Sequence, residues 1–135
     1  MKRDVLQTLR EHGIQPSAQR VAVGQYVLDT EDHPSADQVW SRVRDHCPML
    51  SRATVYNTLN LFVRKGLLQE LVLAEGRVVF DPRTEPHHHF VDDQTGEIVD
   101  IPWSALDVRN VDQLAGVHVL RYQVVLHGRR KPATN

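Results

Sequence analysis

The sequence predicts an α+β protein in which an N-terminal winged helix-turn-helix is followed by a small β-β-α-β domain. Segments of helical period fill residues 1–66, and aliphatic and β-branched runs begin after Gly66. Two prolines bracket a polar stretch at residues 82–86, which is typical of a linker. We therefore expect a winged-helix domain at 1–81, a linker at 82–86 and a second domain at 87–135.

Four helices are predicted from their start and stop signals. Ser35 followed by Gln38 forms a capping box, and Gly66 after Arg64 and Lys65 is a typical helix end. The helices are expected at residues 2–12, from the cap Ser17 with the next break at His33-Pro34-Ser35, from Ser35 to about His46, and from Ser51 to Gly66.

The chain after Gly66 changes to strand-like patterns. Two strands at 67–73 and 77–81 are joined by Ala74-Glu75-Gly76, a hairpin signal. Beyond the linker we predict strands at 88–92 and 97–101, a helix from Ser104 to Ala115 and a strand from Val117 to Leu126. Because a unit of about 50 residues buries too little apolar surface alone, it should dimerise, pack on the first half, or do both.

Composition restricts the class of protein. The 135 residues are 41% hydrophobic and 24% charged, as in ordinary globular proteins, and the net charge of −1 argues against a nonspecific nucleic-acid coat. No apolar run reaches the roughly 18 residues of a membrane span, so we expect a cytoplasmic protein with no membrane partner. The single cysteine, Cys47, excludes an intrachain disulfide and a zinc site with two thiolates from one chain.

The fourth helix divides into an apolar face and a polar face. A recognition helix needs this division, because one side anchors it while the other offers hydrogen-bonding groups to base edges. Tyr56 is suited to a thymine methyl and Asn57 to adenine, although an ordinary surface helix has a similar pattern. The candidate DNA contacts are Arg20, Ser51, Arg52, Thr54, Tyr56, Asn57, Asn60 and Arg64.

Histidines and aspartates form a second constellation. His87 and His89 fall on one face of a strand because their spacing is two. Three imidazoles and two carboxylates without a thiolate suit a five- or six-coordinate Fe(II), Mn(II), Co(II), Ni(II) or Zn(II) ion. Each residue alone is compatible with ordinary turn or surface chemistry, so the site depends on the fold bringing both halves together. The candidates are His33, Asp81, His87, His89 and Asp100.

These segments together resemble the ferric uptake regulator family, in order and spacing, over nearly the whole chain. The matching segments are HPSADQVW at 33–40, SRATVYNTLNLFVRKGLL at 51–68, VFD at 79–81, HHHF at 87–90 and TGEIVD at 95–100. The resemblance implies a metal-responsive transcriptional regulator, most simply a repressor, that binds operator DNA as a homodimer. It also implies that the five candidate ligands bind one regulatory metal between the two domains.

The ligand set is most similar to the peroxide-responsive branch of that family, because an aspartate occupies the last position. The resemblance then implies Fe(II) or Mn(II) as the regulatory ion, with Zn(II) as an occupant in purified protein. In that branch peroxide oxidises a ligating histidine on the iron-loaded protein, and the positions that carry this here are His33 and His87.

The chain departs from the family pattern at three places. The thiols of the family's structural zinc are absent at Asp92, at Thr95 and after Gly128, so we expect no structural zinc. Asn57 stands where arginine is frequent, which leaves the base preference open. A second His/carboxylate site would need residues near His88, Asp107 and Tyr122, and the tyrosine replaces a histidine.

Three alternatives remain open from the sequence. A regulator of the same family could respond to iron or manganese availability without peroxide chemistry. A small non-heme metalloenzyme would use two histidines and a carboxylate, although five candidate ligands leave little room for substrate, so we expect no enzyme. A metal-free winged-helix regulator would bind DNA in the presence of chelators.

Overall fold

The computed structural model describes residues 4–133. The chain divides into two compact units, the first ending at Thr84 and the second beginning at Glu85. Within the described residues, every helix is too short or too polar to cross a bilayer. The α+β class predicted from the sequence is confirmed.

The first unit begins with four helices, each opened by a capping side chain. They are α1 (Val5–Glu11), α2 (Ala18–Val27), α3 (Ala36–Val43) and α4 (Arg52–Arg64). Ser17, Ser35 and Ser51 accept hydrogen bonds from backbone N–H groups of the first turn, and Ser35 forms the complete capping box with Gln38. Residues 2 and 3 of the predicted first helix lie outside the described part of the chain.

A two-stranded hairpin completes this unit as the wing. Strands β1 (Gln69–Val72) and β2 (Val78–Asp81) pair antiparallel with Gln69 opposite Asp81. Glu75 (φ 63°) and Gly76 (φ 73°) both adopt the left-handed conformation that the tight connection requires. The core lies between the helices and the hairpin and includes Leu9, Val39, Val55, Leu59, Phe62 and Phe80.

The second unit is built on a three-stranded sheet in the order β4-β3-β5. The strands are β3 (His87–Asp92), β4 (Ile98–Pro102) and β5 (Val125–Gly128). Strand β4 pairs antiparallel with β3, with Asp100 opposite His89, whereas β5 pairs parallel with β3, with Val125 opposite His89. The central strand therefore carries the three consecutive histidines.

Two predicted elements of this unit are wrong. The helix expected from Ser104 to Ala115 is replaced by two 3-10 turns, Trp103–Ala105 and Val111–Gln113, with extended and left-handed backbone between them. A short helix depends on burial of one face, and no residue of this segment is buried. The final strand begins at Val125 rather than Val117, because residues 117–124 make no ladder with β3.

Candidate metal centre and nucleic-acid interface

The first unit brings His33 and Asp81 together. His33 lies in the loop between α2 and α3 with a positive φ of 51°, and the next residue ties that loop to the wing: the carbonyl of Pro34 accepts a hydrogen bond from Phe80 N at 2.9 Å. The carboxylate of Asp81 is oriented by Arg83 N, which donates to Oδ1 at 2.9 Å. Its Oδ2 atom consequently faces His33 Nε2 at 3.2 Å, and both side chains are buried.

The second unit brings two histidines together on one carboxylate oxygen. His87 and His89 point to the same face of β3, and Asp100 is the cross-strand partner of His89 on β4. The Nε2 atoms of His87 and His89 lie 3.3 and 3.5 Å from Asp100 Oδ1. Both imidazoles are fully buried, while Asp100 keeps partial exposure.

The local hydrogen bonds favour metal ligation over simple packing. His87 Nδ1 lies 2.8 Å from the carbonyl of Glu85, which can only accept, so Nδ1 carries a proton and Nε2 is the ring nitrogen directed at Asp100. Around a first-row metal ion, neighbouring ligand atoms are separated by about 3 Å when each bond is about 2.1 Å. The observed separations of 3.2 to 3.5 Å fit that requirement, and the donor chemistry fits a divalent ion of intermediate hardness.

The middle histidine serves a different purpose. His88 points to the other face of β3, where its ring stacks on Trp103 at 4.5 Å between centroids. Its Nδ1 accepts a hydrogen bond from Val124 N at 2.9 Å, and burial, followed by the neighbouring His87 and His89, lowers the pKa of His88. Asp107 pairs with Arg109 at 3.0 Å, which gives the second His/carboxylate site no support from the structure.

Helix α4 presents the polar face that the sequence predicts. Its buried side holds Val55, Leu59 and Phe62, together with Thr58, whose burial the sequence reasoning missed. Tyr56 is 48% exposed, so its ring is available for an apolar contact. The other exposed candidates of this face are Arg52, Asn57, Asn60 and Arg64.

Three further candidates are engaged within the protein. Arg20 donates from Nη1 to the carbonyl of Gln15 at 2.7 Å, which orients its side chain along the start of α2. The Oγ of Ser51 accepts from Thr54 N at 3.1 Å and donates to Thr54 Oγ1 at 2.9 Å. These two hydroxyls thus define the start of α4 in addition to any contact they make with DNA.

A buried carboxylate at the other end of β3 was not identified from the sequence. Asp92 accepts from the N–H groups of Gln94 (2.8 Å), Thr95 (3.1 Å) and Arg130 (3.4 Å). The Arg130 guanidinium is in turn held by Glu97 through two contacts of 3.1 and 2.7 Å. An aspartate preceding a turn was the available signal, since such residues often accept from the backbone two residues on.

Comparison with known proteins places this chain in a family. A model of the ferric uptake regulator family matches residues 11–127. The peroxide operon regulator of Bacillus subtilis (strain 168) is 36% identical over 125 residues, covering 93% of this chain and 84% of that protein. The ferric uptake regulator of Vibrio cholerae superposes with a TM-score of 0.76 at 24% identity, covering 94% of this chain and all of that one. The ferric uptake regulator of Pseudomonas aeruginosa, solved with manganese, superposes with a TM-score of 0.73 at 25% identity, covering 96% of this chain and all of that one.

The capped helices, the wing and the exposed polar face of α4 define a winged-helix regulator. The sequence matches then identify the particular group. This chain belongs to the ferric uptake regulator family and is a transcriptional regulator, not an enzyme.

Proposed function

We propose that the protein is a metal-dependent repressor that binds operator DNA as a cytoplasmic homodimer and responds to peroxide. His33 and Asp81 would bind the same regulatory ion as His87, His89 and Asp100. The observation that carries this proposal is the convergence of buried imidazole Nε2 atoms on carboxylate oxygens at 3.2 to 3.5 Å in each unit. The kinship with the Bacillus subtilis peroxide operon regulator supports the peroxide response.

The distribution of ligands gives the ion its regulatory role. Two ligands belong to the winged unit and three to the sheet unit, so an ion bound to all five would couple the two units. If the DNA-competent arrangement binds metal more tightly than the alternatives, metal raises its population by that difference in affinity. A difference of about 1.4 kcal/mol changes the population ratio tenfold, so modest coupling is enough for regulation.

Fe(II) is the ion that fits peroxide sensing, and Mn(II) is the redox-inactive alternative. Iron held by the proposed ligands would activate hydrogen peroxide beside the imidazoles. In the net reaction one peroxide oxygen would be inserted into a C–H bond of a histidine ring, which is oxidised by two electrons, and the other oxygen would leave as water. The buried rings of His33 and His87 are the acceptors that we propose. Oxidation converts a good ligand into a poor one, so the protein would release metal and then DNA.

The second unit supplies a surface suited to a homodimer. Large apolar side chains in the second half of this unit are exposed in the single chain: Leu114 (55%), Val117 (61%), Leu120 (85%) and Leu126 (39%). Exposed aliphatic residues at this density mark a protein contact. A second copy of the chain is the partner expected for a regulator that reads a two-fold symmetric operator.

We also propose that this unit holds its shape without a structural zinc. Where a thiolate zinc would tie the β3–β4 turn to the end of β5, the chain has the hydrogen bonds of Asp92 and the Arg130–Glu97 pair. Asp93 N adds a bond to the carbonyl of Gly128 at 2.9 Å. These contacts link the same two segments that the metal would link.

Peptide mass spectrometry tests the peroxide response directly. The Fe(II)-loaded protein is exposed to a short pulse of hydrogen peroxide, and its peptides are compared with those of a Mn(II)-loaded control. We expect one added oxygen on the peptide that contains His33 or His87, with iron only. Unmodified histidines in the iron-loaded protein would contradict peroxide sensing and favour a regulator of metal availability.

A further inference from the structure

The indole ring of Trp40 holds two arginine side chains. The guanidinium carbons of Arg44 and Arg52 each lie 4.3 Å from the ring centroid. Trp40 itself is fixed, because it is half-buried against the core and its Nε1 donates to the carbonyl of Leu50 at 3.0 Å. One ring therefore positions a cation from the end of α3 and another from the first residue of α4.

This arrangement leaves the hydrogen-bonding edges of both arginines available. Stacking uses the flat face of a guanidinium, while its N–H donors lie in the plane and remain free to form a bidentate pair with phosphate. Both side chains are exposed. The carboxylate at this place is Asp37, whose Oδ1 lies 3.6 Å from Arg52 Nε, and both partners are more than 60% exposed, so the pair is screened.

We propose that Arg44 and Arg52, gathered on Trp40, form a phosphate-binding site for the backbone of duplex DNA beside α4. Two positive charges held against one ring repel each other, and the exposed Asp37 offsets this only beside Arg52. A phosphate at this position would remove the remaining repulsion. The site reads no sequence; it fixes how α4 enters the groove. The inference rests on the proposed function, since it assigns a further part of the same DNA-binding surface.

The salt dependence of DNA binding tests the site. The probes are an operator duplex selected in vitro with the Mn(II)-loaded protein and a scrambled duplex of the same composition. Arg44→Gln is expected to weaken binding to both duplexes and to reduce the slope of log Kd against log salt by about 0.9, the value for one lost phosphate contact. Asp37→Asn is expected to strengthen both, because it removes a negative charge next to the phosphate.

Arg42 offers a matched control on the same helix. Its guanidinium lies 5.4 Å from the ring of Tyr26, and it lines a surface cleft with Asp32 and Asp45. Arg42→Gln removes the same charge from α3 but should leave the slope unchanged. A wild-type slope in Arg44→Gln would overturn the assignment, whereas a wild-type protein that binds neither duplex would overturn the proposed function itself.

Trp40 fluorescence provides a second measurement that does not depend on affinity. The Trp103→Phe variant leaves Trp40 as the only tryptophan of the chain. Saturating duplex should change its emission, because a phosphate draws the guanidinium groups toward itself and alters the field at the indole. An emission that saturating duplex leaves unchanged would place the DNA elsewhere and overturn the site.

Discussion

The two ends of strand β3 both bury polar side chains, but the charges are balanced by different means. At the Asp92 end, the carboxylate oxygens meet three backbone N–H groups, and Glu97 meets the fixed positive charge of Arg130. At the His87 end, a carboxylate oxygen meets two imidazole nitrogens that change between donor and acceptor. The first end is satisfied by the chain itself, and the second requires a proton or a metal ion between its atoms.

The polar groups at the two ends of β3 therefore have different roles: those at the Asp92 end stabilise the fold, and those at the His87 end respond to a cation. A carboxylate satisfied by N–H donors stabilises the native state under all conditions that keep it ionised. A carboxylate held against imidazoles responds to whichever cation is present. Substitutions at the two ends should therefore have opposite signatures: loss of metal affinity with stability retained at one end, and loss of stability with metal affinity retained at the other.

The largest effect is expected from Asp100→Ala. This change removes the oxygen that lies within 3.5 Å of both His87 and His89, so the affinity for Mn(II) should fall at least about 100-fold, beyond the loss typical of an outer partner. Isothermal titration of the chelator-treated protein measures it. Asp93→Ala is the control, since Asp93 is exposed and pairs with His127 at the opposite end of β3. Affinity within threefold of wild type in Asp100→Ala would remove Asp100 from the ligand set.

A smaller effect, on stability instead of metal binding, is expected from Asp92→Ala. Three backbone donors would lose their acceptor, and the thermal midpoint in excess chelator should fall by about 5 °C. The thermal midpoint of Asp92→Asn should fall less, because the amide oxygen of the asparagine still accepts hydrogen bonds from the N–H groups of the turn. Differential scanning calorimetry gives the midpoints. A metal affinity that falls with the midpoint under native conditions would contradict the separation of the two ends.

The pH dependence of stability should reflect the carboxylates at the Asp92 end of β3. Burial raises the pKa of Asp92, but hydrogen bonds from Thr95, Gln94 and Arg130 outweigh it and hold the pKa below its ordinary 3.8. Hydrogen bonding to Arg130 similarly holds the pKa of Glu97 below 4.5. Because the folded-state pKa values of Asp92 and Glu97 are depressed, the stabilisation that these carboxylates contribute to the native state is complete at pH values above their ordinary pKa values. It is lost as the pH falls through their folded-state pKa values.

The variant Glu97→Gln isolates the contribution of the Glu97 carboxylate to the pH dependence of stability. Urea midpoints of the chelator-treated protein, measured between about pH 3 and 6, should decline less steeply toward acid in the variant than in wild type. Every other ionisable group is common to the two proteins, so the difference between the two curves reports Glu97. Parallel curves would mean that the Arg130–Glu97 pair adds nothing to stability.

Local signals predicted the parts of this molecule whose structure is locally determined. The caps Ser17, Ser35 and Ser51 and the hairpin turn were predicted correctly, because each depends on neighbours within four residues. The shared face of His87 and His89 followed from the period of two on β3, whereas the ligand set as a whole rests on the family resemblance and stays a prediction. The helix expected at 104–115 failed because its formation depends on burial, which the pattern of a single chain does not report.

Long-range polar contacts were the other part that sequence reasoning missed. Arg130 reaches Glu97 across 33 positions, and neither residue carries a motif that announces the pairing. The contacts of Arg44 and Arg52 with the ring of Trp40 likewise join two helices, and no motif in the sequence indicates them. Such contacts depend on the packing of elements, which local spacing does not determine.

The smallest effect on metal binding is expected from His88→Asn, although His88 stands between two proposed ligands. Its ring points to the opposite face of β3, against Trp103, and its Nδ1 accepts from Val124 N, a role that an asparagine oxygen can take over. The Mn(II) affinity of His88→Asn should therefore stay within about threefold of wild type, whereas the Mn(II) affinity of His87→Asn should fall at least about tenfold. Titration of both variants with Mn(II) tests this assignment. A tenfold loss of Mn(II) affinity in His88→Asn would show that His88 contributes to metal binding although its side chain lies on the opposite face of β3.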